Sequence, residues 1–121
     1  MAKKVLLVED DLDIQRIYST KLGSEGYEVI LTIDAMEGLN IVRKEHPNII
    51  LLDIMLPGKM NGFELLEELK KDEALKTIPV IVLTNLDTEK QQALDVGADD
   101  YLIKANTDLH QIVEKIKTLA K

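Results

Sequence analysis

The chain of 121 residues has no cysteine, which excludes disulfides, thiolate metal sites and thiol nucleophiles. It lacks an excess of positive charge as well: 15 Lys and Arg against 22 Asp and Glu leave a net charge of −7. That balance argues against holding nucleic acid by neutralising phosphates, and against docking on an anionic membrane surface. No apolar run approaches the length needed to cross a membrane. The N-terminus, MAKKVLLVEDD, sets lysines before apolar residues as a signal peptide does, but Val5–Val8 is short and three acids follow at once. Linkers, internal repeats and low-complexity stretches are also missing. What remains is the length and balance of one globular domain, 1–121, with 45% hydrophobic and 31% charged residues and the cytoplasm as its default compartment.

Apolar runs of strand length alternate with longer segments of helical period. Lys4–Val8 (KVLLV), Glu28–Leu31 (EVIL), Asn48–Leu52 (NIILL), Val80–Leu83 (VIVL) and Tyr101–Ile103 (YLI) read as strands. A first helix from about Leu12 carries Ile14, Ile17, Tyr18 and Leu22 on one side and stops near Gly23 and Gly26. A second uses Ala35, Leu39 and Val42 and ends before His46-Pro47, and a third uses Phe63, Leu66 and Leu69. The fourth, about Thr88–Val96, is polar and offers Ala93, Leu94 and Val96 for burial. The fifth repeats Leu109, Ile112, Val113, Ile116 and Leu119 or Ala120 at helical steps, with Asn106 or Thr107 placed to cap it. Strand–helix alternation of this kind predicts a parallel sheet with helices on both faces. Near-continuous apolar strands fit burial on both sides, and right-handed crossovers make the whole a doubly wound α/β sandwich.

In such sheets ligands bind beyond the carboxyl ends of the strands. Glu9, Asp10 and Asp11 follow the first strand, Asp53 the third, Thr84 the fourth and Lys104 the fifth, so all are expected on one rim. The second strand, ending Thr32-Ile33-Asp34, is placed at an edge and outside the site. Carboxylates gathered there repel, by roughly 4 kcal/mol for a pair ~4 Å apart at an effective dielectric near 20. A hard divalent cation such as Mg²⁺ relieves that repulsion, and a metal–carboxylate cluster suits phosphoryl transfer. Asp53, leaving a buried strand, is then the nucleophile, with Lys104 as a cationic partner and Thr84 as a hydroxyl donor for phosphoryl oxygens. Singly, each residue has a plainer role: Asp10 or Asp11 as a helix cap, Thr84 as a strand end, Lys104 as a solvated lysine, Tyr101 as a core aromatic. Their joint occurrence on strand ends is what points to a site. His46 and His110 have no metal-spaced partners and read as surface residues.

The segments VLLVEDD, ILLDIMLPG, VIVLT and GADDYLIK, in that order and at those intervals, resemble the receiver domain of bacterial two-component response regulators, of the chemotaxis-regulator type, along essentially the whole chain. The resemblance implies a flavodoxin-like three-layer sandwich with a five-stranded parallel sheet of order 2-1-3-4-5 and five helices. It implies a regulatory switch rather than an enzyme. Glu9 and Asp10 match the acidic pair, Asp10 being the direct metal ligand; Asp53 matches the phosphoacceptor and Met55 the residue whose backbone carbonyl binds Mg²⁺ or Mn²⁺. Thr84 matches the switch hydroxyl, Tyr101 the switch aromatic and Lys104 the phosphate-binding lysine. The implied partners are a sensor histidine kinase or phosphotransfer protein, a downstream effector that the sequence does not name, and a second copy in a phosphorylation-dependent homodimer. In the implied mechanism Thr84 moves toward the phosphate, Tyr101 enters the vacated space, and the face formed by the fourth helix, fifth strand and fifth helix is remodelled.

Three features depart from the family pattern. Ala105 follows Lys104 where proline, in a cis peptide, is common; a cis bond before a non-proline residue costs ~2.5–4 kcal/mol, so a trans bond and a shifted loop are expected. The turn PGKMNG is one residue longer than usual, with Lys59 as the apparent insertion and a surface bulge as the expected result. Asn85 replaces a small residue after Thr84, close to the phosphoryl access route, where it is expected to slow phosphorylation by small donors or loss of the phosphoryl group. Two other classes compete. An aspartyl-phosphate phosphohydrolase would place an acid/base aspartate where this chain has Met55, and a phosphorylation-independent interaction module would have no use for Asp10, Asp53, Thr84 and Lys104 together. A flavin-binding flavodoxin fits the acidic first loop poorly.

Overall fold

The computed structural model describes residues 2–120. In chain order they form β1 (Lys4–Val8), α1 (Leu12–Ser24), β2 (Glu28–Thr32), α2 (Ala35–Glu45), β3 (Ile49–Leu52), α3 (Gly62–Lys71), β4 (Val80–Thr84), α4 (Lys90–Val96), β5 (Asp100–Ile103), a 3-10 turn (Lys104–Asn106) and α5 (Leu109–Leu119). The five strands make one sheet in the order β2-β1-β3-β4-β5, and every pairing is parallel. This is the expected flavodoxin-like arrangement.

Successive strand residues point to opposite faces, so each strand feeds two cores. Leu6, Val8, Ile50, Leu52, Val80 and Val82 pack with α2 and α3, while Val5, Leu7, Ile49, Leu51, Ile81 and Leu83 pack with α1 and α5. The central strands are buried along their whole length, whereas β2 keeps exposed positions as an edge strand does.

Three local expectations are corrected. Ile17 is 48% exposed, and the inward positions of α1 are Gln15, Tyr18 and Leu22. A polar side chain has taken an apolar place there because two backbone carbonyls need its amide, as described below. The cap of α5 is Asp108, paired with Gln111 in a reciprocal capping box, because Lys104–Asn106 are used in the preceding 3-10 turn. Helix α4 begins at Lys90, not Thr88, and its first residues receive no side-chain cap.

One glycine sets how close α3 comes to the end of β3. A Cβ on Gly62 would lie 2.3 Å from the Ile54 Cα and 2.4 Å from the Asp53 carbonyl oxygen. The Gly62 N–H donates to the Ile54 carbonyl at 3.3 Å, and Asn61 with Glu64 caps the helix start. Replacing Gly62 with alanine forces backbone apart from backbone, with no flexible side chain to yield. Gly62→Ala is expected to cost about 1–3 kcal/mol, seen as a lower urea midpoint; a midpoint equal to wild type would mean that the two segments separate freely.

Candidate functional site

A strand with both faces buried ends in a carboxylate. Asp53 is still tied to β1, its N–H donating to the Val8 carbonyl at 3.0 Å, and its residue is 6% exposed. Its Oδ1 accepts the Met55 N–H at 2.9 Å, and its Oδ2 accepts from the Lys104 Nζ at 2.9 Å. A buried carboxylate is costly without such partners.

The neighbouring strand delivers Glu9. Its N–H donates to the Thr32 carbonyl at 3.0 Å, its side chain is 2% exposed, and Oε2 accepts the Asp11 N–H at 3.1 Å. Oε1 is bonded to the Lys104 ammonium, which therefore bridges Glu9 and Asp53 from a side chain 11% exposed. Asp10 stands exposed beside them, and carboxylate oxygens of Glu9, Asp10 and Asp53 lie within 4.8 Å of one another. Asp11 is the cap of α1, accepting the Asp13 and Ile14 N–H groups.

Burial pushes the Glu9 carboxyl above the usual carboxylate range, and the Lys104 ammonium offsets only part of that. For Lys104, burial pulls the other way, but the two carboxylates outweigh it and hold the ammonium protonated above the usual lysine value. Three carboxylates around one ammonium leave uncompensated negative charge, a donor set that suits a hard divalent cation with oxygen ligands.

Sequence reasoning missed Gln15. Its buried amide donates from Nε2 to the Glu9 carbonyl at 2.8 Å and to the Thr32 carbonyl at 3.0 Å, fixing α1 to the ends of β1 and β2. A periodicity reading passes over it because it is polar. Thr32, set aside as an edge residue, contributes that carbonyl and is itself buried.

Thr84 is fully buried at the end of β4, and its Oγ1 lies 3.4 Å from the Leu86 N–H. The Leu86 carbonyl accepts the Tyr101 hydroxyl. Tyr101 is 5% exposed. Burial, then the Glu89 and Asp87 carboxylates, push its phenol above the usual range and keep it a donor. Between these residues, Asn85 Oδ1 accepts the Ala105 N–H at 3.1 Å. Cis peptide bonds are absent among the described residues, so Lys104-Ala105 is trans as expected. Lys59 and His46 are exposed, and His110 lies 3.9 Å from Glu114 on the surface of α5.

The family model for the response regulator receiver domain matches residues 5–117. The chain belongs to the response regulator receiver family. Among curated relatives, the probable transcriptional regulator ycf27 of Cyanophora paradoxa is 42% identical over 104 residues, which cover 84% of this chain and 42% of that protein. The receiver domain thus spans less than half the length of such relatives. A CheY-like receiver domain protein from Methanospirillum hungatei is 35% identical with a TM-score of 0.87, covering 98% of this chain and 93% of that one. The receiver domain of a sensor histidine kinase from Pseudomonas aeruginosa, solved with magnesium coordinated in its active-site cleft, is 26% identical with a TM-score of 0.88 and 98% coverage of both chains.

In this receiver domain the bridging ammonium is what makes two buried carboxylates tolerable side by side. Lys104→Ala is expected to lose about 3–5 kcal/mol of metal-free stability near neutral pH, measured by urea denaturation. The loss should shrink as pH falls through the raised Glu9 range, since a protonated Glu9 needs no counter-ion. A loss that is the same at every pH would detach Glu9 from the effect.

Proposed function

We propose that this receiver domain is a phosphorylation switch whose acceptor is Asp53. The observation that carries the reading is the Lys104 bridge to Asp53 and Glu9, at the carboxyl ends of adjacent parallel strands and beside Asp10. The donor is a phosphohistidine on a sensor kinase or phosphotransfer protein. An Asp53 carboxylate oxygen forms the new bond to phosphorus as the phosphorus–nitrogen bond breaks, and the electron pair of that bond stays on the imidazole.

The chain's own residues prepare this step. The Met55 N–H holds one Asp53 oxygen, which leaves the carboxylate oriented, and Lys104 lies against the other, where a phosphoryl oxygen would come. Glu9, Asp10, Asp53 and the Met55 carbonyl would hold Mg²⁺, or Mn²⁺ in its place, which when bound would neutralise charge on the transferring oxygens. Thr84 is the hydroxyl that turns toward the attached group.

The response leaves through the face of α4, β5 and α5. Helix α4 has only 7 residues and no side-chain cap, which suits an element of low local stability. Taking a two-state element from 1:99 to 99:1 needs ~5.5 kcal/mol, which would have to come from contacts made only after phosphorylation, at ~1.5–3 kcal/mol for each new charge-assisted one. A downstream effector, or a second copy in a homodimer, would read that face in the cytoplasm. A phosphorylation-independent interaction module is not favoured, because it would have no use for three carboxylates held together at a cost.

Asp53→Asn keeps the shape and removes the nucleophile. Incubation with a phosphorylated histidine kinase and Mg²⁺ should label wild type with an alkali-labile acyl phosphate and leave the variant unlabelled. Equal labelling of the two proteins would move the acceptor elsewhere.

A further inference from the structure

Lys104 reaches its two carboxylates from an unusual support. It opens a 3-10 turn, Lys104–Asn106, directly after β5, and the residue before that turn gives no side-chain cap. The first N–H groups of such a turn have no partner inside it. One of them, that of Ala105, is taken by the Asn85 amide oxygen from the loop after β4. Ala105 can offer that hydrogen because it is not proline. The peptide between Lys104 and Ala105 is thereby fixed from outside its own strand.

The loop that provides the acceptor is itself held at consecutive residues. Thr84 is in register with Ile103, the residue before Lys104, and its hydroxyl oxygen lies near the Leu86 N–H. Leu86 receives the Tyr101 hydroxyl on its carbonyl. Asn85 sits exposed between them, with a hydrogen-bonded residue on either side.

We infer that Asn85 is a positioning residue for Lys104: its side chain caps the Lys104–Asn106 turn across the strand gap and fixes the direction in which the lysine leaves β5. The consequence for the switch rests on the phosphoryl-binding reading above. The hydroxyl of Thr84 and the ammonium of Lys104 are joined through one side chain, so displacement of the loop after β4 alters the aim of the lysine.

The test uses the whole chain, without phosphodonor in its first arm. In Asn85→Ala, exchange of the Ala105 amide hydrogen should accelerate roughly two- to tenfold, the range of one neutral hydrogen bond. The terminal methylene of Lys104, still held by Glu9 and Asp53, should lose order measurably by ¹³C relaxation, toward but short of that of exposed Lys90. Asn85→Asp, which keeps the acceptor, should retain the protection of the Ala105 amide. Ala105→Pro removes the donor, so adding Asn85→Ala to it should change Lys104 order no further.

In the second arm, affinity for beryllofluoride with Mg²⁺ should fall roughly two- to tenfold in Asn85→Ala. Unchanged Lys104 order in Asn85→Ala, whatever happens to the Ala105 amide, overturns the positioning role, as does an equal effect of Asn85→Ala with alanine or proline at 105. Wild type that binds no beryllofluoride would sink the phosphoryl reading alone, since the first arm needs no ligand.

Discussion

One ammonium shared between two buried carboxylates governs this molecule. Glu9 and Asp53 end adjacent strands, and neither has enough water around it to stay charged at no cost. Lys104, arriving from the far side of the sheet, makes the pair tolerable and gives the rim its geometry. Such bridges rarely add net stability, because desolvation consumes the Coulombic gain. A bridge that adds little net stability points to what the carboxylates can bind rather than to what they hold together.

The sheet explains why these side chains meet. The order β2-β1-β3-β4-β5 puts the strands bearing Glu9 and Asp53 side by side, with β4 and β5 following on the same side. Because all pairings are parallel, every strand ends at the same rim, and residues far apart in sequence converge without any local instruction. The backbone continues the pairing one step beyond the strands: Asp53 donates to Val8, and Glu9 donates to Thr32. The acids are thus held by the ladder itself, before any side-chain contact is made. Gly62 allows α3 to close against that same backbone, so main chain packs closely beside Asp53.

Much of this was legible in the sequence, for a physical reason. Runs such as IILL and VIVL carry a two-sided burial signal, and the residue that breaks each run stands out by its charge or hydroxyl. The alternation of period then fixes the fold class, and the shared rim follows from it. What stayed hidden depends on side chains acting against their type. Gln15 occupies an inward position because it completes the hydrogen bonding of two carbonyls, and that need is invisible until β1 and β2 are placed side by side. Ile17 was misassigned for the same reason, since the apolar stripe of α1 turns to admit Gln15. The α5 cap moved to Asp108 once a 3-10 turn used the residues before it, and propensity cannot separate three successive cap formers. The hydrogen bond from the Tyr101 hydroxyl to the Leu86 carbonyl depends on how the loop after β4 lies, which the apolar pattern of β5 does not encode.

The charge arrangement also constrains what can happen at the site. A phosphoryl group attached to Asp53 replaces one carboxylate charge by between one and two negative charges spread over three oxygens. Lys104 already lies against the Asp53 oxygen nearest to its ammonium, so a phosphoryl oxygen can inherit the contact with little movement of the lysine. If Asp53 is phosphorylated as proposed, the lysine serves ground-state pairing at rest and the phosphoryl group afterwards, and the gain on phosphorylation is only the difference between the two. A large conformational response cannot come from Lys104 alone. It has to draw on groups whose hydrogen bonds are weak at rest, and the 3.4 Å contact of the Thr84 hydroxyl is such a group. The physical division is then between a lysine that is already engaged and a hydroxyl that still has a stronger bond to make.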